Sequence, residues 1–377
     1  MIEDKAVNNV AENSPVINGP PEAGFQDRIA DFARNASLSL GVLFIPVISL
    51  LALVVLVFIL SDTPARTLFF FFAGPFRNVY SFGNMVNSSL PLVFGALGVT
   101  VAMKGGHLNL GGEGQVYLGA FTTTAAALAF SGNGIARFGV IGMILAACAG
   151  VIASGAAAAF CGFCKARWNT NELITTFLLS NALIPVVNYL VTGPFLDPQT
   201  SLLSTGKINE NMRLALILKP SGLSACLYIA LAFAVAAHLF LTRTRKGYEI
   251  RMAGNNEIFA RYGGVNTKFN TVLAMAASGG LYGLAGSLAV LGTYHATIKE
   301  FSAGLGWNGL AVALIAGFYV PAVIPAALFF AWIGAGARIA MQNTGLTLEV
   351  ASIVQSVIFF LSTSLLIKNL FARKGRI

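Results

Sequence analysis

Charge is what this sequence has least of. Only 10% of its 377 residues are Asp, Glu, Lys or Arg, while 56% are hydrophobic and the mean hydropathy is +0.75. Soluble domains carry about 25% charged residues to keep their surface wet. A chain this poor in charge does not cover a water-facing surface of its size, which overrules the two or three soluble domains that length alone suggests. Cysteine and histidine are scarce too. Cys148, Cys161, Cys164 and Cys226 include one C-x-x-C pair, Cys161 with Cys164, and no second pair at zinc-finger spacing. They read as small packing residues near a cytoplasmic edge, where thiols stay reduced. His107, His238 and His295 lie far apart, so a metal site has no support. No G-x-x-x-x-G-K-[ST] occurs, so the chain binds no ATP through a P-loop of its own. G-x-S-x-G, H-E-x-x-H and clustered carboxylates are also missing, which argues against a membrane-embedded enzyme. The net charge of +9 sits in short clusters between apolar runs rather than on one phosphate-tracking face, which argues against a nucleic-acid partner.

What is present is a series of long apolar runs. A helix needs about 20 apolar residues to cross the hydrocarbon core. On that yardstick the sequence predicts an all-α, polytopic transmembrane bundle of about ten spans, at residues 38–60, 83–103, 108–130, 138–162, 172–193, 221–241, 270–293, 305–320, 321–340 and 350–368. The eighth and ninth come from splitting one stretch at Tyr319, Pro321 and Pro325. Residues 1–37 are polar and read as a cytoplasmic tail, with a short amphipathic helix over 25–34; the first span then acts as an uncleaved signal anchor. The membrane domain is read as 38–368, and 369–377 as a basic cytoplasmic tail. With the amino terminus inside, sixteen Lys and Arg fall on the cytoplasmic side and eight on the other, which accounts for all 24. That imbalance supports both termini inside. Residues 194–220 form a polar outer loop that reads as a short surface helix. Residues 242–269 are the longest inner loop, and loops of that length are usually functional.

Polar groups inside the spans mark function by default. Glu113 lies in a glycine-rich stretch, residues 105–115, that opens a span. Glycines weaken a continuous helix by about 1 kcal/mol each, and unwound backbone at membrane depth needs protein or a water-filled cavity around it. Asn109, Glu113 and Gln115 therefore face a translocation path, or Glu113 binds free amides of its own broken helix; the residues leave both readings open. Asn84 and Asn87 add polar groups to the preceding span. Asn171 and Glu172 precede the fifth, and Asn181, Asn188 and Tyr189 follow within it. Asn181 and Asn188 are seven apart on one face, which fits pore lining or interhelical hydrogen bonds. Residues 304–309 match G-x-G-x-x-G without a preceding strand, so a dinucleotide site is excluded. This segment echoes the first break, with Asn308 and with Trp307, which suits stacking on a planar ligand or an interfacial belt. Paired breaks of this kind occur at corresponding places in pseudo-repeated transporter halves. Gly279 and Gly283 form a G-x-x-x-G pair for close helix packing.

Four of these segments carry a resemblance. Residues 106–115 resemble the G-x-F-N-I-G-A-E-G-Q signature of ABC-importer permeases for nucleosides, within the broader simple-sugar and branched-chain amino-acid permease group. Residues 167–172 resemble the family's R-G-x-N-E segment, residues 246–265 its coupling loop, and residues 305–314 its G-x-G-x-x-G-I-A-V-A-L-L-G run. The matches span roughly 83–365, with His107, Leu108, Gly112 and Phe259 departing from the pattern. The resemblance implies a bacterial inner-membrane permease that imports nucleosides by alternating access, without a cofactor of its own. It implies a partner ATPase with P-loops that binds ATP and Mg, a second permease, and an extracytoplasmic substrate-binding protein. It makes Gly254, Asn255, Glu257, Phe259, Ala260, Arg261, Tyr262 and Gly263 the surface that rests on the ATPase. Alternatives are a ribose-type sugar importer and a secondary transporter in which Glu113 carries a proton.

Overall fold

The helices begin and end where the sequence changes character from apolar to polar or glycine-rich. The computed structural model describes residues 61–132 and 139–344, with some of 47–59 and 352–357. They all belong to one compact unit, Ile45–Ile377. The tails at 1–37 and 369–377, the helix at 25–34 and most of the spans at 38–60 and 350–368 lie outside the described residues.

Eleven α-helices follow in chain order among them: α1 (Pro64–Ala73), α2 (Val79–Lys104), α3 (Gly112–Gly132), α4 (Val140–Trp168), α5 (Glu172–Thr192), α6 (Cys226–Arg243), α7 (Arg245–Asn255), α8 (Glu257–Tyr262), α9 (Thr267–Ala289), α10 (Leu305–Ile315) and α11 (Val320–Thr344). Six are long and apolar enough to cross a membrane: α2, α4, α5, α6, α9 with its π-helical extension to Tyr294, and α11. Helices that start at a polar edge carry side-chain caps. Asn78, Thr244, Asn256 and Asn266 each accept a hydrogen bond from the backbone N–H three residues on, at 2.6–3.0 Å.

The expected eighth span is corrected. α10 has 11 residues, which at 1.5 Å per residue covers about half of a 30 Å hydrocarbon core. It stops because Gly317 and Phe318 turn left-handed, at φ 59° and 55°. The break at Tyr319 is real, but Pro321 and Pro325 both lie within α11, whose 25 residues run on unbroken. The outer loop is corrected as well. It holds a 3-10 turn (Glu210–Met212) and a two-stranded antiparallel pair, β1 (Leu216–Leu218) with β2 (Leu223–Ser224), rather than a surface helix. Its apolar residues explain why: Ile208 and Met212 are fully buried. Its backbone amides at Thr205, Ile208 and Leu214 donate to the carbonyls of Thr297, His295 and Leu291, so the loop folds back onto the end of α9.

α9 occupies the centre, packed against α3 and α4. A Cβ at Gly283 would lie 2.7 Å from the carbonyl oxygen of Gly150 and 2.6 Å from the Ser154 side chain. Glycine there is a requirement of the helix approach, as expected for small residues between membrane helices.

Candidate functional site

The site starts from the glycine-rich break between α2 and α3. Gly106 adopts a left-handed φ of 78°, which a glycine accepts without a Cβ clash. The turn is stitched internally. Asn109 and Gln115 are both 1% exposed. The Asn109 Nδ2 donates to Gln115 Oε1 (2.8 Å) and to Ser278 Oγ on α9 (3.1 Å), while its Oδ1 accepts from Gly111 N (2.9 Å). α5 adds two hydroxyls: Thr176 Oγ1 accepts from Leu110 N (3.1 Å) and Ser180 Oγ from Gly114 N (2.8 Å). The break thus satisfies its unwound backbone from side chains of α5 and its own asparagine, as low-dielectric surroundings demand. Asn109 and Gln115 face each other and Ser278.

Glu113 turns the other way. Its carboxylate accepts from Gly304 N (2.9 Å) and Gly306 N (2.7 Å), across 191 and 193 residues of sequence. These are amides at the start of α10, whose own N-cap, Gly304, provides no side-chain cap. A carboxylate at a helix N-terminus meets unsatisfied donors and the positive end of the helix dipole. Tyr282 of α9, 1% exposed, closes the join from behind, with its hydroxyl 3.4 Å from the Gly306 carbonyl. The two glycine-rich breaks, which the sequence shows only as an echo, are one structure. The approach to α10 is irregular: His295, Glu300, Ala303 and Gly304 all have positive φ between 41° and 83°.

Trp307 follows this join and remains 40% exposed. Its ring meets Phe177 of α5 edge-on, with centroids 6.3 Å apart. One turn further along α5, Asn181 is exposed and donates to the Phe177 carbonyl (3.0 Å). Asn308 is half-buried beside Trp307. Trp307 therefore meets Phe177, a residue the sequence reading passed over, with Asn181 one turn along α5 and Asn308 next to Trp307 in α10. Asn188 is elsewhere: it accepts from the Tyr117 hydroxyl, which itself accepts from Glu300 N (3.1 Å), so it braces the approach to α10. Tyr189 is 71% exposed on the outside of α5. Asn84 and Asn87 hold the outer loop and the end of α9, accepting from Gly222 N (2.8 Å) and donating to Thr293 Oγ1 (3.1 Å) respectively.

At the other end of α5, Asn171 caps the helix through Leu173 N (3.0 Å). Glu172 pairs with Lys165 at 3.1 Å, and its Oε1 lies 3.7 Å from His107 Nδ1. The His107 Nε2 lies 2.9 Å from Thr271 Oγ1. The first break, α4, α5 and α9 meet in this cluster.

The inner loop folds as two helices, α7 and α8. Gly254 fits against the first break: a Cβ there would lie 2.6 Å from the Gly106 nitrogen and closer still to the Lys104 carbonyl oxygen. Asn255 and Gly263 are exposed at the ends of α7 and α8. Glu257 and Arg261 pair at 2.6 Å, one turn apart. Ala260 is fully buried, while Ile258, Phe259 and Tyr262 are 69%, 64% and 89% exposed.

Residues 81–363 match the family described as branched-chain amino acid transport system / permease component. The chain belongs to that family. The permease is 33% identical over 301 residues to a probable riboflavin import permease protein of Treponema pallidum, covering 80% of this chain and 79% of the relative. It is 30% identical over 297 residues to a guanosine ABC transporter permease protein of Bacillus subtilis, covering 77% and 83%. It is 30% identical over 288 residues to a glucose ABC transporter permease protein of Haloferax volcanii, covering 73% and 74%. No solved structure matches. The permease is a transport subunit rather than an enzyme, and its family, together with six membrane-length helices among the described residues, makes it a multi-pass inner-membrane protein.

Sequence reasoning missed the hydroxyls at Thr176, Ser180, Ser278 and Tyr282. Small hydroxyls in spans pass for packing, and nothing in their local pattern distinguishes a side chain that serves another helix's backbone.

Proposed function

We propose that the permease imports nucleosides, with the edge formed by Phe177, Asn181, Trp307 and Asn308 reading the base. The observation that supports this is two exposed aromatic rings in contact, with Asn181 one turn along α5 and Asn308 next to Trp307 in sequence. Flat heterocycles stack on aromatic faces for about 1–3 kcal/mol per base, and amides pair with their polar edges. The guanosine permease of Bacillus subtilis and the riboflavin permease of Treponema pallidum point to the same class of cargo.

The chain then works as one of two permeases in a heterodimer, with pseudo-repeated halves and both termini inside, in a bacterial inner membrane. A substrate-binding protein delivers cargo from outside. Partner ATPases holding ATP and Mg dock on Ile258, Phe259 and Tyr262, with Gly254, Asn255, Glu257, Ala260, Arg261 and Gly263 shaping that surface. Closure of the ATPases moves α7 and α8, and the contact of Gly254 with Gly106 passes the motion to the first break. A ribose-type importer is the second reading, favoured by the glucose permease of Haloferax volcanii.

Competition for uptake separates the two. Adenosine, inosine and riboflavin are tested against ribose in cells carrying the assembled transporter. Nucleosides compete and ribose does not, and Trp307→Ala raises the half-saturating nucleoside concentration about tenfold, the loss of one stacked base. Competition by ribose alone overturns the reading.

A further inference from the structure

We infer that Glu113 is a positioning residue, a helix cap supplied from α3 that fixes the start of α10 and with it Trp307. The proposal rests on the import reading only for where Trp307 acts; the structural tie stands by itself. Three observations carry it. The carboxylate is used on both oxygens, Oε1 by Gly304 N and Oε2 by Gly306 N. α10 has no cap of its own, since Gly304 offers no side chain and sits at φ 83°. The segment that leads into α10 holds four left-handed residues within ten positions, so it has no helical continuity with α9 to set its course. What places α10 is contact with neighbours. Gly306 lies so close to the backbone of Gly112 and Glu113 that a Cβ would overlap it, and Tyr282 fills the space behind. The two backbone bonds convert that contact into a fixed register.

This assigns Glu113 a role that neither a pore-lining group nor a proton carrier has. A group that shuttles protons must release its hydrogen-bond partners in each cycle. Here the partners are main-chain amides that need an acceptor in a low-dielectric setting, and charge-assisted bonds of this kind are among the stronger ones in proteins. A movement of α3, driven from the inner side through Gly254 and Gly106, therefore carries α10 with it.

The test follows Trp307 itself. The chain has three tryptophans, so Trp168→Phe with Trp332→Phe leaves Trp307 as its sole emitter, and a matched transporter that also carries Trp307→Phe gives the partners' emission to subtract. Glu113→Gln keeps one carbonyl acceptor and Glu113→Ala keeps none. We expect acrylamide quenching of Trp307 to rise in the order Glu, Gln, Ala, at least twofold at the end of the series, with no substrate present. Maximal uptake falls about tenfold in Glu113→Ala, about 1.4 kcal/mol of lost positioning, and the half-saturating concentration changes less. Copurification of the ATPase at wild-type yield shows that each variant is assembled. Where Glu113→Ala fails to assemble, Glu113→Gln carries the comparison. Unchanged quenching across assembled variants overturns the tie, whatever uptake does. Loss of uptake with unchanged quenching assigns Glu113 to the cargo or a proton instead.

Discussion

Among single residues, Glu249 shows how the inner loop is held to the bundle. Its side chain is 11% exposed and meets Lys246 at 2.7 Å, Arg245 at 3.1 Å and the Asn270 amide at 3.4 Å. Lys246 chiefly, then Asn270 and Arg245, hold its carboxyl below the ordinary range against the opposing effect of burial. The sign of the pH dependence follows. A lowered folded value means the stabilisation is complete above the unfolded carboxylate value of about 4.3 and is lost as pH falls through the lower folded one. Hydrogen exchange in α7, corrected for intrinsic rate, is expected to quicken as pH drops below about 4. Glu249→Gln is expected to give fast exchange at neutral pH with that pH dependence removed. An acid response that survives the substitution places the effect elsewhere.

The same scale shows what the sequence made legible. That Glu113 is a marked group follows from a carboxylate beside glycines in an apolar chain. That its partners are Gly304 and Gly306 does not, because main-chain amides carry no side-chain signature and lie more than 190 positions away. Asn109 and Gln115 teach the reverse. Their type fits a polar path equally well, and only the fold reveals that they spend their hydrogen bonds on each other and on Ser278.

At the level of elements, apolar run length gave good helices wherever a run was bounded by a cap or a glycine, as with α2 at Asn78 and α9 at Asn266. It overestimated α10, since hydropathy continues smoothly through Gly317 and Phe318 while the backbone turns. It also missed the pairing of β1 with β2, whose strands are three and two residues long, too short for a period to register. α8 carries its own prediction. It is one and a half turns long and turns Ala260 inward while Ile258, Phe259 and Tyr262 face out. Exposed aromatic side chains on a short capped helix are what an interface anchor looks like. Tyr262→Asp is expected to cut copurification of the ATPase by about thirtyfold, near 2 kcal/mol, while Glu257→Ala, which breaks an exposed ion pair with Arg261 and a long bond from Thr267, changes it less than about fivefold. Equal retention in both variants removes α8 from the docking surface.

For the whole molecule, the proposed coupling of energy input to cargo runs through one series of contacts: α8 and α7, Gly254 on Gly106, the break at 105–111, Glu113, and then α10 with Trp307. The proposed series requires α7 and α8 to face the inner side, the orientation that the 16-to-8 division of Lys and Arg predicts. Single cysteines test it in a background where Cys148, the exposed native thiol, is replaced by alanine and Cys161, Cys164 and Cys226 stay buried. A membrane-impermeant thiol reagent added to intact cells is expected to label Gln199→Cys in the outer loop and leave Tyr262→Cys untouched until the membrane is opened. Both positions are exposed, so access and not burial decides the result. Labelling of Tyr262→Cys from outside would invert the bundle and take α8 out of reach of an ATPase on the inner side.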